Sequence, residues 1–175
     1  MAARAAATLA GELPGLRPVS AARLHLTLAF LGALPPERLL EVGAGVTAAA
    51  RGRPPFALTL DRLGRFPAAG RPTTIWLGLG TGGASVERIA EAVRVELERR
   101  ALDFDRKPAR PHLTIARVRP NASAVEVRAL LVALERARPA ELRFEVRTIE
   151  VVESLLTPQG PRYAVRSSVP LEDGP

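Results

Sequence analysis

The pattern His-x-Thr followed by Leu or Ile occurs twice, as His25-Leu26-Thr27-Leu28 and His112-Leu113-Thr114-Ile115, and the chain has no other histidine. The segments downstream of the two copies are alike as well. A helical stretch, Pro36 to Ala50, leads to the apolar run Phe56-Ala57-Leu58-Thr59-Leu60. A second, Ser123 to Arg138, leads to Phe144-Glu145-Val146-Arg147-Thr148, and Phe56 comes after His25 at almost the distance at which Phe144 comes after His112. A further strand is expected in each half, at Thr73 to Leu79 and at Arg162 to Val169. A chain built twice from motif, helix, strand and strand is expected to form two similar lobes related by a pseudo-twofold axis, with one histidine from each meeting across a cleft.

Each motif has the period of a strand. Arg23 to Leu31 reads as one, with His25 and Thr27 on one face and Leu24, Leu26, Leu28 and Phe30 on the other, because successive side chains alternate. His112 and Thr114 stand in the same relation to Leu113 and Ile115. Each copy therefore offers an imidazole and a hydroxyl side by side, backed by apolar residues that anchor the strand. The helix from Ser123 carries a capping box, with Glu126 three residues on and Val127, Leu130, Leu131 and Leu134 along one side. Between the halves, Ser85 to Ala101 places Val86, Ile89, Ala90, Val93 and Leu97 on one helical face. An alanine-rich helix is expected at Arg4 to Gly15.

The chain has 175 residues, of which 47% are hydrophobic, enough for one domain with a buried core. No apolar run is long enough to span a membrane, and the N-terminus lacks the pattern of a signal peptide. With no cysteine there is no disulfide or thiolate chemistry, so nothing points to an oxidising compartment and the cytoplasm is the default. The net charge of +7 comes from 25 basic against 18 acidic residues, and every basic residue except Lys107 is arginine. Such uniform arginine use reflects genome composition more than a nucleic-acid surface, yet the positive field favours a polyanionic substrate. Arg106, Lys107 and Arg110 stand before the second motif and Arg117 and Arg119 after it. Charge clusters of this kind are commonly solvated faces, and phosphate contact is the competing role.

A single histidine on a half-buried strand is usually structural. Two in one repeated motif, with none elsewhere, point instead to an acid and a base, since imidazole both takes and gives a proton near neutrality. Two histidines without cysteine supply too few ligands for a zinc site, so no metal is expected. No Gly-x-Ser-x-Gly elbow and no P-loop occur, which sets aside a serine triad and reactions driven by nucleotide energy. Opposed histidines with two hydroxyls and no metal suit in-line displacement at a phosphodiester, the threonines steadying the phosphoryl oxygens.

These paired motifs resemble those of the 2H phosphoesterase superfamily. The string Leu24-His25-Leu26-Thr27-Leu28-Ala29-Phe30-Leu31-Gly32, together with Ile75-Trp76-Leu77-Gly78 and Arg110-Pro111-His112-Leu113-Thr114, is similar to its RNA 2',3'-cyclic phosphodiesterase branch, also called 2'-5' RNA ligases. The resemblance runs from about Leu13 to Val169. It implies an α+β fold, a single bilobal domain over residues 1–175 with two pseudo-symmetric lobes, each an antiparallel sheet with flanking helices, around a central cleft. It implies hydrolysis of a terminal 2',3'-cyclic phosphate on RNA to a 2'-phosphate without cofactor, and in some members reversible 2'-5' ligation. His25 and His112 are then catalytic, with His112 assigned as base and His25 as acid by analogy. Thr27, Thr114 and Arg117 bind phosphate. Arg117 lies at an odd offset from His112, so it shares the histidine's face only if the strand ends or bulges between them.

The partner implied is RNA ending in a cyclic phosphate, tRNA fragments among the candidates, with no membrane and a monomeric enzyme. Phe66, Phe104 and Tyr163 are the aromatic residues available to stack on a base, each with a core role as the alternative. Relatives open with a short strand for which the alanine-rich start leaves no counterpart, so either the start lies upstream of Met1 or a sheet lacks one member and is left with an unpaired edge. Residues 170–175 read as a short polar tail. Two other functions fit the same motifs: a 2H phosphodiesterase acting on a small cyclic nucleotide, and a non-catalytic nucleotide- or RNA-binding module.

Overall fold

The computed structural model describes residues 15–107, 110–139, 141–157 and 160–172, with residues 8 and 11. The expected N-terminal helix lies largely outside the described residues. Seven strands and three α-helices follow in the order β1 (Leu16–Pro18), α1 (Leu39–Ala50), β2 (Phe56–Phe66), β3 (Thr74–Leu79), α2 (Gly83–Arg99), β4 (His112–Val118), α3 (Ala124–Arg136), β5 (Leu142–Val146), β6 (Thr148–Thr157) and β7 (Gly160–Pro170). Short 3-10 turns occupy Ala21–Arg23 and Pro36–Arg38. Among the described residues no helix is long and apolar enough to cross a membrane.

The chain forms two compact units, and these do not follow its two halves. The first gathers residues 1–26, 58–81 and 111–144; the second gathers 27–57, 82–110 and 145–175. The expectation of one motif, one helix and two strands per lobe is corrected here. The strands β2 and β3 join the unit that holds β4, while α1, which precedes them, packs in the other unit with α2 and the β6–β7 hairpin. The division falls inside the first motif, so His25 and His112 belong to the same unit.

The first unit is built on a sheet of five strands in the order β1-β4-β3-β2-β5. Neighbours from β1 to β2 pair antiparallel. Alternation sets its buried face: Leu58, Leu60, Ile75, Leu77, Leu113 and Ile115 are almost wholly inaccessible. Helix α3 starts at the capping box foreseen in the sequence, the Ser123 hydroxyl accepting from the Glu126 amide while the Glu126 carboxylate accepts from the Ser123 amide.

The second unit is a separate core. Val42, Val46 and Ala49 of α1 and Ile89, Val93 and Leu97 of α2 meet Leu102, Phe104, Ile149 and Leu171. Leu171 is 4% exposed and its amide donates to the Arg147 carbonyl at 2.8 Å. The reading of residues 170–175 as a polar tail is thus corrected at its first two positions: Pro170 ends β7 and Leu171 closes the core.

Two strand expectations also change. Phe144 to Thr148 is the end of β5 and the start of β6, and β6 itself gave no clean alternation, with apolar residues on both of its faces. Arg23 to Leu31 is not a strand: after β1 the chain turns through Ala21–Arg23 and touches the sheet again only at a single bridge, Leu26 with Leu113. Beyond the bridge the alternation lapses. Leu28, Ala29 and Leu31 all pack against the second core while Phe30 is 63% exposed.

Candidate active site

The site is assembled along β4. On its inner side β3 sets the register, with Gly78 opposite His112, Leu77 opposite Leu113 and Trp76 opposite Thr114. On its outer side the chain pairs twice. β1 places Leu16, Arg17 and Pro18 opposite Val118, Arg117 and Ala116, and Leu26 returns to bridge Leu113. The pairing runs one bond past Pro18, the Val19 amide donating to the Ile115 carbonyl at 2.8 Å. The Arg23 amide then donates to the Ser20 carbonyl at 2.8 Å, closing the turn that brings the chain back.

This return aligns the first motif with the second. With Leu26 opposite Leu113 in an antiparallel bridge, His25 falls opposite Thr114, on the face away from the buried leucines. His25 is exposed, while His112 and Thr114 are half-buried. The His25 Nδ1–H donates to the Arg23 carbonyl at 2.8 Å. A carbonyl can only accept, so the bond fixes the tautomer and leaves Nε2 as the nitrogen that exchanges a proton. Thr27, exposed, is the first residue of the second unit.

The position of Arg117 turns on one residue. Trp76 pairs with Thr114 but Ile75 pairs with Ala116, so Ile115 is an extra residue in β4. Ile115 and Ala116 are both fully buried, and Arg117 emerges on the face of His112 and Thr114. There its guanidinium donates to the Thr74 hydroxyl at 3.4 Å. Three other cations of the expected cluster are matched by acids: Arg106 with Glu98 at 2.6 Å, Lys107 with Asp105 at 3.9 Å and Arg119 with Glu126 at 2.9 Å.

Of the three stacking candidates, Phe66 stands beside the histidine. Its ring meets His112 edge-on, centroids 5.0 Å apart at 78°, and packs against Trp76 at 5.2 Å. Trp76 lies 5.9 Å from His112. Phe104 is corrected to a core residue: it is 8% exposed, and the guanidinium groups of Arg94 and Arg106 each lie 5.0 Å from its ring centre. Tyr163 lies on β7 in the second unit, opposite Ser154 and 37% exposed.

The sequence carried Trp76 only as part of a resemblance and did not bring out Gly64. Gly64 sits opposite Trp76 on β2, and the indole lies over it so closely that a Cβ there would stand 2.3 Å from two ring carbons. A glycine inside a strand signals such a close approach, though not by what.

Comparison with known proteins places these features in one family. Residues 2–157 match the family model of the 2'-5' RNA ligase superfamily. The RNA 2',3'-cyclic phosphodiesterase of Aeropyrum pernix is 30% identical over 149 residues, covering 85% of this chain and 82% of its own. That of Thermus thermophilus is 35% identical over 158 residues, covering 86% and 73%. Among solved structures, the Thermus thermophilus protein TT0787 superposes with a TM-score of 0.77 at 30% identity, covering 98% of this chain and 91% of that one. LigT of Escherichia coli complexed with NADP+ gives 0.68 at 25% identity, covering 90% and 81%.

Proposed function

The chain belongs to the 2'-5' RNA ligase superfamily and is an RNA 2',3'-cyclic phosphodiesterase; from that premise we propose that it opens the cyclic phosphate at an RNA end by acid/base catalysis between His25 and His112. The observation that supports the mechanism is the bridge of Leu26 with Leu113, which sets His25 opposite Thr114 on the face that carries His112.

In this reading His112 accepts a proton from water as its oxygen attacks phosphorus. The bond to the 3'-oxygen breaks and His25 delivers a proton to that oxygen, leaving a 2'-phosphate and a 3'-hydroxyl. The Thr27 and Thr114 hydroxyls and the Arg117 guanidinium donate to the phosphoryl oxygens, where charge grows in the transition state. The tautomer held by Arg23 favours Nε2 of His25 as the atom that exchanges its proton with the leaving oxygen. With an RNA 5'-hydroxyl in the place of water, the same transfers form a 2'-5' linkage. Phe66, beside His112, is the aromatic residue positioned to meet the terminal base.

The test is product analysis on a short RNA ending in 2',3'-cyclic phosphate, with EDTA present. Wild type is expected to yield the 2'-phosphate, and His25→Ala and His112→Ala each to lose about 10²-fold or more in turnover. Full activity in either variant overturns the two-histidine mechanism, and a 3'-phosphate product overturns the assignment of the leaving oxygen. An activated 3' leaving group is expected to rescue His25→Ala and not His112→Ala; the reverse pattern exchanges acid and base.

A further inference from the structure

Arg17 and Arg117 stand directly opposite each other across the β1–β4 ladder. Like charges facing each other on a sheet are unfavourable. None of the ion pairs among the described residues includes either arginine, and Glu126 in the same unit is paired with Arg119. Both side chains are exposed. The extra residue at Ile115 brings Arg117, and with it Arg17, to the face that carries His25, His112 and Thr114.

The pair is offset from the reacting position. Thr74 and Trp76, the partners of Arg117 and Thr114, are two residues apart on β3, about 6.8 Å along the strand. Arg17 is one strand further out, about 4.8 Å across the sheet. A cation so placed lies a nucleotide's reach from a phosphate held at Thr114.

Resting on the function proposed above, we propose that Arg17 holds the phosphodiester immediately upstream of the reacting cyclic phosphate, so that the enzyme selects polynucleotide ends over free cyclic mononucleotides. An anion held there by Arg17 offsets the repulsion between the two facing guanidinium groups, while Arg117 keeps its role at the reacting phosphate. Arg17 bears on substrate length and leaves the choice of scissile bond to the motif residues.

The test compares kcat/KM on three substrates: a nucleoside 2',3'-cyclic phosphate, a dinucleotide ending in the same group, and that dinucleotide with an uncharged methylphosphonate linkage. In wild type the charged dinucleotide is expected to lead. Arg17→Met is expected to lower the ratio of charged dinucleotide to mononucleotide about tenfold, the size of one charge-assisted contact. The variant should no longer distinguish the charged from the neutral linkage, and its salt dependence on the charged dinucleotide should be shallower by about 0.7 in log–log slope. Arg17→Lys should keep most of the preference. An unchanged ratio, or one that falls equally for the neutral linkage, overturns the subsite while leaving the catalytic reading intact. A lowered unfolding midpoint with equal losses on all three substrates makes Arg17 structural and likewise overturns it. A folded wild type that turns over none of the three overturns the reading of the site, and this subsite with it.

Discussion

At the scale of single residues the site depends as much on absent atoms as on present ones. Gly64 leaves room for Trp76, and Trp76 with Phe66 forms the aromatic wall against which His112 rests. Gly64→Ala drives a methyl into the indole and is expected to cost about 1–3 kcal/mol as an overpacked contact. It should also reduce kcat/KM by moving the wall behind His112. Thermal unfolding measures the first effect, and the emission of this single tryptophan reports the displacement. The histidines and threonines were legible because the repeat marks them. Gly64 was not, since a sequence shows that a side chain is missing without showing what lies in its place. Arg117 fell between: its odd offset stated the question that the bulge at Ile115 answers.

At the scale of elements, helix α3 is held by its first turn. Ser123→Ala removes the hydroxyl that accepts from the Glu126 amide and should cost about 1 kcal/mol. The Glu126 carboxyl is held below the ordinary glutamate value, first by the Ser123 amide, then by the Ser123 hydroxyl and Arg119. A carboxyl lowered in the folded state adds stability above its unfolded value and loses it as pH falls through the folded one. The difference in unfolding midpoint between wild type and Glu126→Gln should therefore be fullest above about pH 4.3 and close in acid. At the other end of α2, Ala101 adopts a left-handed φ of 49° while the Leu102 amide donates back to Leu97. Glycine is at ease there, so Ala101→Gly should raise stability by about 0.5–1 kcal/mol, read by denaturant unfolding. Helices were legible because caps and apolar stripes are local signals. The stretch around the first histidine was not: its alternation suited a strand, while the turn at Ala21–Arg23 takes the chain off the sheet and brings it back.

At the scale of the whole molecule, the repeat correctly announced two lobes and misdescribed their membership. Periodicity says which face of an element is apolar and nothing about which distant element will cover it, so the exchange of α1 away from β2 and β3 left no local trace. Net charge acts at this scale too. With +7 on the chain, kcat/KM toward RNA should fall as ionic strength rises, and more steeply for an oligonucleotide than for a cyclic mononucleotide; initial rates across a salt series check it. The two strands that carry the site respond to chain length in opposite ways. In β4 Arg117 comes five positions after His112, an odd interval that keeps both on one face only because Ile115 is an extra residue; a regular strand of the same length would turn the arginine inward toward the leucines. The outer chain is pinned at Arg17 and again at Leu26, with its slack in the turn between. Family members could therefore differ in the length of that turn while keeping both anchors in place, whereas in β4 the interval and the bulge must change together for the arginine to stay on the histidine's face.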